Sequence, residues 1–341
     1  MAARIAGACA AVGVATATIV TMVSDSGTAT AALTTPQAST NRFAPYVDTS
    51  LFPPFDLVKS AQSSGVKQYN LAFVLAGGGA CDPKWGSGVA LADDPVAKQV
   101  GALRRIGGDV RLSFGGANGT ELALACNTAE QLAAAYQKAI DAVGVNKVDF
   151  DIEGAALSNA AANTRRDQAI AALQARNKGL QVSYTLPVLP QGLTQDGINL
   201  IKDAQQHRVN IGAVNIMAMD YGDSVAPSPI GRMGDLAIAA AKATQQQLRT
   251  TLDLADAAAW GKLAVTPMIG VNDVADEVFN VADARKLVTF ANTQHLAGLS
   301  MWSATRDRAC PQGPLAHADA TCSSINQQAL AFTSVFKSFR G

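Results

Sequence analysis

From residue 42 onward, short apolar runs alternate with alanine-rich stretches of helical spacing, and this rhythm narrows the possible folds more than any other feature. The runs at 43–47, 69–75, 110–114, 148–152, 182–186, 213–219, 263–269 and 299–302 have the length and content of buried strands. Between them, 56–64, 94–106, 128–143, 159–177, 196–207, 234–248 and 281–294 read as helices, followed by a last one at 325–339. Several open on a capping position, such as Asn127-Thr128 or Asp196. Eight strands alternating with eight helices is the count of a (β/α)8 barrel. The expected fold is therefore α/β, a single TIM barrel over 42–341. A doubly wound sheet would need a nucleotide-binding glycine loop after its first strand. None follows Tyr46-Val47-Asp48. Gly77-Gly78-Gly79 follows the second run without a Gly-Lys-Ser/Thr or Gly-x-Gly-x-x-Gly frame, and reads as a tight loop at the barrel top.

Residues 1–32 differ from the rest. One early positive charge, Arg4, precedes an apolar run from Ile5 to Val23, and Ala29-Thr30-Ala31-Ala32 follows. This reads as a secretory signal peptide with an Ala-x-Ala cleavage site. The alternative is an uncleaved membrane anchor, because the run approaches spanning length. Residues 33–41 are a polar linker. The expected location is extracellular, or membrane-anchored if the segment stays attached. Beyond Cys9, four cysteines remain: Cys81, Cys126, Cys310 and Cys322. An even number in an exported chain points to disulfides. Of the three possible connectivities, Cys81–Cys126 and Cys310–Cys322 are favoured, the second closing a short loop and the first tying two neighbouring ones. No Cys-x-x-Cys or His-rich cluster suggests zinc, so no metal or cofactor is expected. Lys plus Arg and Asp plus Glu are equal at 27 each. That balance gives no electrostatic case for nucleic acid or an acidic membrane surface, and a monomer is expected.

The chemistry is concentrated in Lys147-Val-Asp-Phe-Asp-Ile-Glu-Gly154. Asp149, Asp151 and Glu153 alternate with Val148, Phe150 and Ile152, so in a strand all three acids share one face. Like charges held that close raise one another's pKa, and such crowding usually serves chemistry. Active sites of these barrels lie at the C-terminal ends of the strands. Glu153 stands at that end. Other strand ends carry Tyr46 and Asp48, Ser113 with Gly115-Gly116, Tyr184, Asp220-Tyr221 and Trp302. A glycosidase normally sets two carboxylates on opposite sides of the scissile bond. Three acids on one strand reach only one side. Glu153 is then a general acid, Asp220 is the nearest carboxylate on another strand, and the substrate itself supplies the nucleophile. An N-acetyl group at C2 of a sugar can do so through an oxazolinium intermediate. A calcium site is disfavoured, because calcium loops are polar and Gly-turned. No Gly-x-Ser-x-Gly elbow or His-Glu-x-x-His frame is present.

This arrangement resembles glycoside hydrolase family 18, the chitinases and their relatives, over the whole chain after the linker. The family pattern Asp-Gly-x-Asp-x-Asp-x-Glu lies over 146–153, Ser-x-Gly-Gly over 113–116 and Met-x-Tyr-Asp over 217–220, and the eighth-strand Trp over Trp302. The resemblance implies that Glu153 protonates the glycosidic oxygen. It implies that Asp151 orients the acetamido group, and that Asp149 shares a proton or hydrogen bond with Asp151. Trp302 would floor the sugar and Asp220 contact its acetamido side. Tyr46, Ser113, Gly115, Gly116, Met217 and Met219 complete the expected substrate-binding set. Asn146-Lys147 replaces the leading Asp-Gly, below the chemistry. Met219 replaces the tyrosine whose hydroxyl meets the acetamido carbonyl, leaving Tyr221 or Tyr184 as the candidate. Too few residues separate Ile269 from Leu299 for the small inserted α+β domain of some members. The expected cleft is open and shallow and the cleavage endo-acting. Few indoles (Trp85, Trp260, Trp302) argue against strong processivity. The implied function is retaining, substrate-assisted hydrolysis of β-1,4-linked N-acetylglucosamine polymers, with chitin or its oligosaccharides as partners. Two alternatives stay open. One is an endo-β-N-acetylglucosaminidase acting on N-glycans or related chains. The other is a noncatalytic chitooligosaccharide-binding barrel, although such relatives usually lose the acid that Glu153 supplies here.

Overall fold

The computed structural model describes residues 42–341 apart from Ser87. The segments read as signal peptide (1–32) and linker (33–41) lie outside the described residues. Eight parallel strands run in chain order around one sheet: β1 (Tyr46–Asp48), β2 (Gln68–Ala76), β3 (Asp109–Gly115), β4 (Lys147–Asp151), β5 (Gln181–Leu189), β6 (Ile211–Ala218), β7 (Leu263–Pro267) and β8 (Gly298–Leu299). The ring closes where Phe43 bridges Leu299 in parallel and Tyr46 N donates to Met301 O at 3.1 Å. All eight sequence-predicted strands are therefore present in a (β/α)8 barrel.

The helices that alternate with these strands are α1 (Leu57–Ser64), α2 (Val100–Arg105), α3 (Ala129–Val143), α4 (Ala160–Arg176), α5 (Gln195–Gln206), α6 (Met233–Leu252), α7 (Val281–Gln294) and α8 (Ala331–Phe336), with shorter helical turns in the connections. Their starts follow from side-chain caps that satisfy first-turn N–H groups. Thr128 accepts from Gln131 N, Thr194 from Gly197 N, and Asn280 forms a capping box with Asp283. The last helix is shorter than the expected 325–339. Asp307, at the far side of a loop, accepts from Phe332 N at 3.1 Å and Thr333 N at 2.7 Å and so sets where it begins.

Between β7 and α7 lies only the small hairpin Gly270–Val271 with Val278–Phe279. No inserted domain interrupts this stretch.

The core lies between sheet and helices. Phe150 stacks on Phe114 at 5.3 Å and meets Tyr136 edge-on at 5.0 Å, all fully buried. A buried ion pair crosses this layer: Arg166 Nη2 of α4 donates to Glu121 Oε2 at 2.7 Å, and Tyr136 Oη to Glu121 Oε1 at 3.1 Å. Because Glu121 belongs to the loop after β3, the pair ties that loop to the helical ring. The disulfide Cys81–Cys126 joins the loops after β2 and β3, and Cys310–Cys322 closes a loop after β8, as the spacing suggested.

Candidate active site

Strand β4 sorts its residues by parity. Val148, Phe150 and Ile152 are fully buried against the helical layer, while Asp149 and Asp151 point into the barrel. Glu153 follows the strand end at the N-cap of the short helix Gly154–Ser158.

Four hydroxyls converge on Asp149, three from the flanking strands β3 and β5 and one from β1 across the barrel. Oδ2 accepts from Tyr46 Oη at 2.9 Å and Ser113 Oγ at 2.8 Å, and Oδ1 from Ser183 Oγ at 2.6 Å and Thr185 Oγ1 at 2.9 Å. Asn215 Nδ2 donates to Thr185 Oγ1 at 3.0 Å, and Thr266 Oγ1 to Asn215 Oδ1 at 2.9 Å. The chain of partners thus runs from β1 and β3 to β7. It fixes Asp149 in the barrel centre and uses its acceptor capacity.

Asp151 turns the other way, towards Glu153, with which it shares a hydrogen bond. Its Oδ1 is buried without a partner. Burial, then the charges of Glu153 and Asp149, push the Asp151 carboxyl well above the usual range. Burial also raises Glu153; the bond from Asp151 pulls it down, and the charge of Asp220 adds to the rise. The proton of the pair therefore rests on Asp151 and is donated to Glu153.

Both acids open into a cleft of about 410 Å³ at the C-terminal mouth. Trp302 forms part of its floor, stacked on Phe73 at 5.6 Å and beside Tyr46 at 6.1 Å. Met217, Met219 and Asp220 supply another wall from the end of β6. Asp220 has a left-handed backbone (φ 49°), and its Oδ1 accepts from Val274 N at 2.9 Å, which aims the carboxyl across the loop. Burial raises Asp220 as well. Among the described residues, no group of three or more His, Cys, Asp and Glu side chains could hold a metal ion.

Several expected contacts lie elsewhere. Tyr184 is fully buried, and its hydroxyl donates to Asp167 of α4 in the helical layer. The cause is register: Tyr184 pairs with Phe150, so both face away from the barrel centre. Tyr221 is 5% exposed and absent from the cleft lining. The backbone N–H groups of Tyr221 and Gly222 donate to buried Glu277, which turns this segment away from the cleft. Neither tyrosine is placed to give the hydroxyl that Met219 lacks. Ser113 is buried and holds Asp149 instead of lining the cleft. Gly115 and Gly116 also contribute through backbone alone. A Cβ on Gly115 (φ +100°) would lie 2.0 Å from Asp151 O, and one on Gly116 (φ +88°) 2.6 Å from the Phe73 ring. Both glycines therefore let β4 and Phe73 close in on the strand end. Asp149 bonds to the hydroxyl cage, and the partner of Asp151 is Glu153.

Ser183, Thr185, Asn215, Thr266 and Phe73 were not picked out from the sequence. Ser183 and Thr185 carried a usable signal, since they alternate with Val182, Tyr184 and Leu186. Phe73 carried none, because its stacking on Trp302 depends on how the barrel closes.

No protein-family model matches the chain. Over 277 residues, 78% of its length, it is 35% identical to a probable bifunctional chitinase/lysozyme of Escherichia coli (strain K12), and the match covers 31% of that protein. It is 34% identical over 276 residues to Endochitinase 11 of Metarhizium anisopliae, covering 52% of it. The chain thus spans about a third and about half of the length of these two curated relatives. The catalytic domain of a hyperthermophilic chitinase from Pyrococcus furiosus is 33% identical with a TM-score of 0.78, covering 87% of this chain and 94% of that one. Identity of this order over nearly all of a solved catalytic domain goes beyond likeness of fold, and the chain belongs to glycoside hydrolase family 18.

Proposed function

We propose that this protein hydrolyses chitin, cutting β-1,4 bonds between N-acetylglucosamine units within the chain and retaining the anomeric configuration. The observation that carries the reading is the pairing of Glu153 with Asp151. A carboxylate nucleophile would be ionised and face the acid across the bond, about 5–5.5 Å away. Here the group sharing the proton of Glu153 is its neighbour on the same strand, buried and held protonated. The acetamido carbonyl of the substrate is then the nucleophile. The shared proton passes from Asp151 to Glu153, which gives it to the leaving oxygen as the bond to the anomeric carbon breaks. Asp151, now ionised and freed from Glu153, turns to the acetamido N–H and stabilises the oxazolinium. The hydroxyl cage keeps Asp149 in place while this happens, and Trp302 supports the sugar from below. Glu153 next takes a proton from the incoming water, which attacks the anomeric carbon and restores the acetamido group.

The names of the curated relatives and the solved Pyrococcus furiosus domain support chitin as substrate. The stretch between β7 and α7, holding only a small hairpin, supports an open cleft and endo cleavage. We further propose that the protein acts outside the cell, a reading supported by its two disulfides.

The test is turnover of chitin hexamer by Glu153→Gln. The expected loss is about 10²–10⁴-fold with binding kept; turnover like that of the native enzyme would exclude the assignment. Parallel incubation with an N-glycoprotein separates chitin from N-glycan cleavage, and hexamer yielding only monomer from the start would exclude endo action.

A further inference from the structure

Glu277 is fully buried, and among the described residues no lysine, arginine or histidine pairs with it. A carboxylate so placed is costly unless hydrogen bonds satisfy it. Both of its oxygens are used. Oε2 accepts from Tyr221 N at 3.0 Å and Oε1 from Gly222 N at 2.8 Å. These are the two residues that follow Asp220. Glu277 itself belongs to the hairpin after β7, just before its second arm Val278–Phe279. A second carboxylate crosses the same gap in the opposite direction. Asp220 Oδ1 accepts from Val274 N at 2.9 Å, at the tip of that hairpin. Glu277 N in turn donates to Val274 O at 2.9 Å, so both halves of the clasp close on one residue.

The clasp holds a backbone that would otherwise relax. Asp220 sits in the left-handed region, at φ 49°, where a residue with a side chain stays only if its surroundings keep it there. The bonds to the next two N–H groups fix the turn on one side, and the bond from Val274 N fixes the carboxyl on the other. Asp220 lines the cleft together with Glu153. Its charge adds to the rise that burial causes in the Glu153 carboxyl. Glu277 does not line the cleft, so whatever it contributes to the reaction passes through the segment it holds.

We propose that Glu277 is a positioning residue of the reaction: by gripping the backbone of Tyr221 and Gly222 it keeps the left-handed turn after β6, and with it the Asp220 carboxyl, on the cleft wall within electrostatic reach of Glu153. The inference rests on the proposed hydrolysis of chitin. A carboxylate suits the task because it accepts from two successive N–H groups at once. A glutamine offers one acceptor oxygen and sets its own N–H2 against the other N–H, which releases the turn. The charged and titratable groups that face the clasp and the acid are Asp273, Arg306 and Tyr221 around Asp220, and Asp151 beside Glu153. None of them takes hold of the Tyr221 and Gly222 N–H groups in place of Glu277.

The experiment is a double-mutant cycle of Glu277→Gln and Asp220→Asn on chitin hexamer, with pH–rate profiles and melting temperatures for each variant. In the native background Glu277→Gln is expected to lower kcat/KM roughly 10- to 100-fold, as a displaced group near the reacting atoms does. It should also move the alkaline limb to lower pH, because the negative charge of Asp220 no longer opposes ionisation of Glu153. In the Asp220→Asn background the same change should cost within about threefold and leave the limb in place, since the group that Glu277 positions is already gone. A purely structural clasp would lower the melting temperature and give equal losses in both backgrounds with an unmoved limb, and that result overturns the proposal. Glu277→Asp keeps the charge and withdraws it by one carbon. It is read in the same cycle should Glu277→Gln not fold, with a smaller loss of the same pattern expected and additive losses again overturning the proposal. A native enzyme inactive on hexamer overturns the chitin reading and this inference with it, whereas additive losses overturn this inference alone.

Discussion

Asp151 and Glu153 share one proton in the resting site, so they titrate as a pair. Two consequences follow from the raised carboxyl of Asp151. The first concerns activity. The pair holds its last proton to higher pH than a lone carboxyl would, because losing it leaves two negative charges side by side. In Asp151→Asn the alkaline limb of kcat/KM is expected at lower pH than in the native enzyme, alongside a large fall in turnover. A pH–rate profile on hexamer checks this, and an unmoved limb would count against a shared proton. The second consequence concerns stability. A carboxyl with a raised folded pKa binds a proton that the unfolded chain releases. The stability linked to it is fully present below the unfolded value of about 3.9 and declines as pH rises through the folded value. Asp151→Asn removes that decline. Its melting temperature is therefore expected to exceed the native one by more at pH 8 than at pH 5. For a barrel of this size each 1 kcal/mol corresponds to about 1–2 °C. Equal differences at the two pH values would contradict the linkage.

Strand β5 shows how alternation divides stability from chemistry within one element. Thr185 faces the barrel centre and contacts Asp149 and Asn215; Tyr184, its neighbour, faces α4 and bonds Asp167. Tyr184→Phe leaves Asp167 without that donor in a buried setting, and a loss of about 1–3 kcal/mol of stability is expected. Turnover should stay within about twofold, since no atom of Tyr184 reaches the cleft. Thr185→Val removes a donor from Asp149 and a partner from Asn215. Its expected effect is on turnover, between about 10- and 100-fold, through misplaced acids. Urea melts and hexamer assays on the two variants decide the matter, and a catalytic defect in Tyr184→Phe would refute the assignment of faces. The same strand marks how far the site was legible in the sequence. Strand positions and the acid triad show because period two is a local property of a few residues. The face of Tyr184 was equally legible, since Val182, Tyr184 and Leu186 alternate with Ser183 and Thr185, yet an aromatic at a strand end invites a binding role. The hydroxyl cage was less so, because it depends on register across several strands. The start of α8 was hidden too, set by Asp307 from across a loop.

At the scale of the whole molecule, both disulfides lie on the face that bears the cleft, and they differ in what they restrain. Cys81–Cys126 spans 45 residues and crosses from the loop after β2 to that after β3, whereas Cys310–Cys322 spans 12 and closes a local turn. A cross-link stabilises chiefly by limiting the unfolded chain, and the limit grows slowly with the logarithm of loop length. On that account the longer loop contributes about 4 kcal/mol and the shorter about 3 kcal/mol. The loop after β3 is held a second time by Glu121 and Arg166. The Cys310–Cys322 loop carries Ala320, which lines the cleft, and Asp319, whose carbonyl accepts from Arg306 Nη1 at 2.6 Å. The two bonds should therefore separate in their effects. Replacing Cys81 and Cys126 by alanine is expected to lower urea stability more, with the cleft kept in shape by the buried ion pair. Replacing Cys310 and Cys322 should cost less stability but raise KM for hexamer, because the cleft wall around Ala320 loses its closure. Paired measurements of urea midpoint and KM on both variants test the separation. If the shorter bridge proves the more stabilising, loop entropy is not what these bonds contribute. If KM is unchanged without it, the loop after β8 plays no part in holding the substrate.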